Sequence, residues 1–137
     1  MISTRPSVLF VCKKNGGKSQ MAAALMRLHA GEQIEVLSAG TAPGTAMNQD
    51  SVASVLEVGG SFEGESIKGI EPQWLDQVDR VVVLGGEAHI ENPGLSPVER
   101  WETDEPSERG VEGIERMRLI RDDIDARVLA LKDQLLG

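Results

Sequence analysis

Cys12 is the only cysteine in the 137-residue chain, and the seven residues after it run Lys13-Lys14-Asn15-Gly16-Gly17-Lys18-Ser19. Gly16 and Gly17 allow the backbone to fold tightly enough to turn several N–H groups inward, and the lysines add positive charge. Such a loop suits a tetrahedral oxyanion, with a thiol beneath it. Gln20 to His29 reads as a helix with Met21, Leu25 and Leu28 on one side. The loop therefore delivers into a helix amino terminus, where unpaired N–H groups and the helix dipole attract anions. The same field favours the ionised form of a nearby thiol, which is the nucleophilic form. The expected chemistry is attack by the Cys12 thiolate on a bound oxyanion, with the amides of residues 13–19 and the Lys18 ammonium holding its oxygens. Ser19 either donates its hydroxyl hydrogen to the Cys12 sulfur or caps the helix, and Asn15 reads as an internal brace.

Two other readings of this stretch are weaker. Lone cysteines are commonly small buried hydrophobes, yet a segment this polar is a poor way to seal a core. The pattern G-x-x-x-x-G-K-[ST] of nucleotide-binding loops ends in Gly17-Lys18-Ser19, but its first glycine falls on Cys12. In addition, the later apolar run Val81–Leu84 leads into Gly85-Gly86 and not into an aspartate for magnesium.

The elements that must position this loop follow from periodicity. Val8 to Val11 predicts a buried strand ending at Cys12, and Ile34 to Ser38 a second strand. Met47 to Val58 carries a helical pattern with Val52, Val55 and Leu56 inward, and Pro72, Trp74 and Leu75 suggest a short helix. Arg80 to Leu84, nearly all apolar, predicts a central third strand, and Pro97 to Trp101 a shorter edge strand. Ile114, Met117, Ile120, Ile124, Val128, Leu131 and Leu135 recur at helical spacing and predict a long final helix with a solvated charged face. Alternating strands and helices imply a parallel sheet in a three-layer α/β/α domain covering residues 1–137. In such sheets ligands lie beyond the carboxyl ends of the strands, where Cys12 stands.

Composition narrows the function classes. A net charge of -8 argues against a nucleic-acid binder, and no run approaches the ~18 apolar residues of a membrane span. Met1 to Pro6 leads straight into the first strand without the apolar core of a secretory signal. A single cysteine allows no intramolecular disulfide, so a reducing, cytoplasmic setting is expected. His29 and His89 are too isolated to suggest a metal site.

The Cys12–Ser19 stretch resembles the C-x5-R-[ST] loop of low-molecular-weight protein tyrosine phosphatases and of the arsenate reductases built on the same fold. Ser38-Ala39-Gly40-Thr41 is similar to the family's SAGT segment, and Trp101, Asp104 and Pro106 to its W…DP loop. Lys18 stands where the family has arginine, and Glu105 separates Asp104 from Pro106. The resemblance implies a four-stranded parallel sheet in the order 2-1-3-4 and a catalytic set of Cys12, Lys18, Ser19 and Asp104. Lys13, Lys14, Asn15, Gly16 and Gly17 would bind arsenate or phosphate. Asp104 would protonate the departing oxygen, with Glu105 as its substitute; the plainer role for Asp104 is a turn or cap.

Thioredoxin-coupled members carry two further cysteines after the third strand, where this chain has Gly85 and Asn92. The resemblance therefore implies an external low-molecular-weight thiol as co-substrate, no bound cofactor, and similarity to the arsenate-mycothiol transferases. In that group mycothiol takes the arsenate from the enzyme and a mycoredoxin-type partner reduces the conjugate. The alternatives are a low-molecular-weight phosphatase, although the chain has no tyrosine to stack an aryl phosphate, and a non-catalytic oxyanion-binding domain.

Overall fold

The computed structural model describes residues 5–137. Residues 1–4 lie outside it, and with them most of the segment read above as lacking a secretory signal.

Four parallel strands form one sheet: β1 (Ser7–Cys12), β2 (Glu35–Gly40), β3 (Arg80–Leu84) and β4 (Val98–Trp101), in the order β2-β1-β3-β4. This is the expected order. The register pairs Cys12 with Gly40 at the carboxyl ends of β1 and β2, and Leu84 with Trp101 at those of β3 and β4. All four strand ends thus open on the same edge. Because β2 and β3 flank β1 on opposite sides, the chain reverses its direction of winding at β1, and a crevice opens beyond Cys12.

Side chains alternate across the sheet and close two cores. Val8, Phe10, Val82 and Leu84 point toward α1 (Lys18–Ala30), α2 (Gln49–Glu57) and α4 (Gly113–Leu136). Leu9, Val11, Val81 and Val83 point the other way, toward the single-turn α3 (Trp74–Gln77) and the segments around it. The second layer is therefore thin. From α4, Met117, Ile120, Ile124, Val128 and Leu131 are buried, as their spacing predicts, while Ile114 and Leu135 are half-buried.

Some expectations require correction. α1 begins at Lys18, two residues before the expected start, so Ser19 lies inside its first turn and the N-cap position belongs to Gly17. Leu56, assigned inward, is 57% exposed, and Leu28, read on one side of its helix with the fully buried Met21 and Leu25, is 40% exposed. α2 meets the core through Ser51, Ser54 and Val55. No helix of the described residues is long and apolar enough to cross a membrane.

Candidate active site

The loop from Lys13 to Gly17 is shaped by a neighbouring segment that takes its carbonyls. The amides of Thr41, Ala42, Gly44 and Asn48 donate to the oxygens of Cys12, Lys13, Lys14 and Gly16 at 2.7–3.0 Å. With the carbonyls engaged outward, the amides of Lys13, Lys14, Gly16 and Gly17 have no acceptor among the described residues. They supply a set of free donors next to the first turn of α1. Glycine is required at 16 because a Cβ there would lie 2.7 Å from the Ala46 carbonyl oxygen.

Asn15 holds the turn. It adopts a left-handed conformation with φ 57°, uncommon for any residue but glycine and best tolerated by Asn and Asp. Fully buried, it uses all four of its side-chain hydrogen bonds. Nδ2 donates to Ser19 Oγ at 2.9 Å and to Ser38 Oγ at 3.2 Å, while Oδ1 accepts from Gln20 Nε2 and from the Lys68 amide, both at 3.0 Å. Lys68 also reaches Ser38 Oγ with its ammonium at 3.3 Å. Burial holds the pKa of Lys68 below the usual lysine range, with the carboxylate of Glu65 opposing the shift.

Cys12 sits at the floor of this arrangement with 9% of its surface exposed. Its sulfur accepts from the Asn15 amide at 3.2 Å and lies 2.9 Å from Ser19 Oγ. It faces a cavity of about 780 Å3 lined by the whole loop except the buried Asn15 and Ser19, and by residues that sequence reasoning did not single out. Glu87 follows β3, Glu102, Thr103 and Glu108 follow β4, and Arg116 projects from α4. Nothing in the spacing of Arg116 marks it, because its position on α4 reads as part of a charged face.

Lys13 and Lys14 are exposed at the cavity, and Lys18 is half-buried, with its ammonium 3.9 Å from where a Cβ on Gly85 would stand. None of the three makes an ion pair among the described residues. Asp104 lies outside the cavity lining. Both of its oxygens accept from Arg109, at 2.8 and 3.0 Å, and this guanidinium lowers its pKa. Glu105 does line the cavity, but Arg116 grips it through two bonds of 2.7 and 2.8 Å and holds its pKa down to about 2. The segment carrying both is strapped to α4, with Asp123 accepting from the Asp104 amide at 2.7 Å and Arg127 donating to the Glu102 carbonyl at 2.8 Å.

Gly85 lies at this cavity, while Asn92 lines a second one of about 500 Å3 with His89 and Ile90. His29 is paired with Asp125 at 2.6 Å. Among the described residues, no three His, Cys, Asp or Glu side chains are grouped so as to hold a metal ion.

A family model described as low molecular weight phosphotyrosine protein phosphatase matches residues 7–136. Arsenate reductase 1 of Bacillus cereus is 30% identical over 130 residues, covering 93% of this chain and 94% of that protein. Among solved structures, a thioredoxin-dependent arsenate reductase of Corynebacterium glutamicum superposes with a TM-score of 0.80 at 27% identity. That match covers 99% of this chain but spans only 64% of the longer protein. An arsenate reductase in its phosphate-binding state superposes with a TM-score of 0.81 at 26% identity, over 95% of this chain and 98% of that one.

Proposed function

The chain belongs to the low molecular weight phosphotyrosine protein phosphatase family, and from that premise we propose that it is an arsenate reductase that works through an external low-molecular-weight thiol, as an arsenate-mycothiol transferase. The observation that carries this reading is a single thiol, Cys12, at the floor of a cavity ringed by free amides and unpaired lysines, in a chain without a second cysteine. The named relatives are arsenate reductases, one of them thioredoxin-dependent. An internal disulfide relay needs further cysteines, and Gly85 and Asn92 stand where the family resemblance implies them.

In the proposed reaction the Cys12 thiolate attacks arsenic. A sulfur–arsenic bond forms, one arsenic–oxygen bond breaks, and the departing oxygen leaves as water after taking a proton. The amides of Lys13, Lys14, Gly16 and Gly17 and the Lys18 ammonium hold the remaining oxygens as charge redistributes. The external thiol then attacks the same arsenic, returns the Cys12 thiolate and carries the arsenate away with the loss of one proton. Arsenic stays pentavalent throughout. Its two-electron reduction occurs when a second thiol, that of a mycoredoxin-type partner, attacks the conjugate and leaves a disulfide and arsenite. We assign the proton for the departing oxygen to Asp104. Its pair with Arg109 is solvent-exposed, and such pairs contribute little, so the carboxyl is released more easily than Glu105 is from the two-pronged grip of Arg116. Asp104 has to turn into the cavity to act.

The test supplies purified protein with arsenate, mycothiol and a mycoredoxin, and in parallel with an aryl phosphate. Arsenite release that is lost in Cys12→Ser is the expected result. Aryl phosphate turnover with no arsenate turnover assigns the site to phosphatase chemistry, and anion binding with neither makes it a non-catalytic oxyanion site.

A further inference from the structure

Charges of opposite sign face one cavity without neutralising each other. Lys13, Lys14 and Lys18 belong to the cysteine loop, whereas Glu87, Glu102 and Glu108 come from the segments after β3 and β4. None of these six side chains has an ion-pair partner among the described residues, while Glu105 beside them is matched by Arg116. The potential therefore runs from positive on the cysteine loop to negative on the segments after β3 and β4, and low-dielectric walls sharpen such a field. At about 780 Å3 the cavity is many times larger than a four-oxygen anion. It lies within the range of about 300–1000 Å3 that holds a small organic molecule.

With arsenate on Cys12, the molecule that takes it off must occupy a cavity it shares with these three carboxylates. An acidic thiol meets like charge there, whereas a remote end rich in hydroxyls or amides meets acceptors it can donate to. We infer that the co-substrate is a low-molecular-weight thiol without net negative charge, and that Glu87, Glu102 and Glu108 are the residues that select it. The inference rests on the reading of the site as a thiol-dependent arsenate reductase and names the class of thiol that site takes.

The experiment measures arsenite release by the full chain with two probe thiols, neutral 1-thioglycerol and dianionic mercaptosuccinate, each corrected for its thiolate fraction and each in excess, so that a second molecule of the same thiol reduces the conjugate and leaves a disulfide. Wild-type protein is expected to favour thioglycerol in kcat/KM by about tenfold or more. In Glu87→Gln/Glu102→Gln/Glu108→Gln the mercaptosuccinate-to-thioglycerol ratio should rise by about five- to tenfold, mainly through KM for the acidic thiol. About 0.5 M salt should narrow the gap in wild type, because exposed charges are screened. Arsenite release with the same ratio in wild type and variant overturns the inference and leaves the enzymatic reading standing. No arsenite from either probe thiol, nor from mycothiol supplied with a mycoredoxin, overturns both. Because all three carboxylates are exposed, their replacement leaves the core untouched; Glu102→Lys alone should move the ratio in the same direction.

Discussion

Which partner donates between Cys12 and Ser19 is decided by a residue far along the chain. The Lys68 backbone N–H can only donate, so the Asn15 atom 3.0 Å away is Oδ1, and Nδ2 must face Ser19 and Ser38. Ser19 Oγ accepts from Nδ2 and keeps its own hydrogen for the sulfur at 2.9 Å. The serine hydroxyl is thus oriented to donate to the Cys12 sulfur and not to accept from it. A hydrogen bond to a charged group contributes ~1.5–3 kcal/mol, so Ser19→Ala should slow alkylation of Cys12 by iodoacetamide by about ten- to a hundredfold at neutral pH. Phosphate affinity should change little, since the loop amides remain. Equal alkylation rates in the two proteins would refute this orientation. Cys12, Asn15, Lys18 and Ser19 were legible because they are chain neighbours. Gln20, adjacent to Ser19 but read only as the start of the helix, and Lys68, 53 residues from Asn15, were not, because a side-chain hydrogen-bond network leaves no periodic trace.

Among the elements, the end of β2 does as much for the loop as β1 itself. A Cβ on Gly40 would stand 2.7 Å from the Lys13 carbonyl oxygen, 2.9 Å from the Asn15 nitrogen and 2.9 Å from the Lys14 carbonyl carbon, all of them backbone atoms. Gly40→Ala therefore forces the loop to move, at an overpacking cost of ~1–3 kcal/mol. Because the displaced atoms include the amide that faces the sulfur, arsenate turnover should fall by a hundredfold or so, a loss of ~2.7 kcal/mol in barrier terms. Thermal denaturation should show a shift of only a few degrees, and turnover at the wild-type rate would show that the loop tolerates displacement. The strands and α4 were readable from period and composition, whereas Gly40 stood out only through the resemblance of Ser38-Ala39-Gly40-Thr41 to the family's segment. The inward faces of α1 and α2 were not. α1 is packed against the sheet, α2 and α4, so that Ala22, Ala23, Ala24 and Met26 are buried as fully as Leu25. α2 meets its neighbours through two serines, a close approach that a search for apolar periodicity passes over.

Across the whole molecule, α4 is both the largest contributor of buried apolar side chains from any one helix after α1 and the brace for the cavity's far wall. The Arg116–Glu105 bridge joins these two roles, and its dependence on pH can be worked out. Arg116 depresses the pKa of Glu105 from 4.5 to about 2, with help from the Ser107 hydroxyl and amide and against the effect of burial. A carboxyl whose folded pKa is lowered stabilises the fold fully above its unfolded pKa, and the contribution is lost as pH falls through the folded value. The window is therefore from about pH 4.5 down to about pH 2. The pair is nearly one third exposed, so solvent screening reduces its worth to ~1–2 kcal/mol. Glu105→Gln should unfold earlier than wild type in thermal scans at pH 7. The two proteins should converge as the pH falls through that window and coincide only below its lower end, once the wild-type carboxyl is protonated in the folded state as well. A difference that persisted unchanged at pH 2 would mean that Glu105 acts through packing and not through its charge, and that the far wall of the cavity is held by the Asp123 and Arg127 contacts alone.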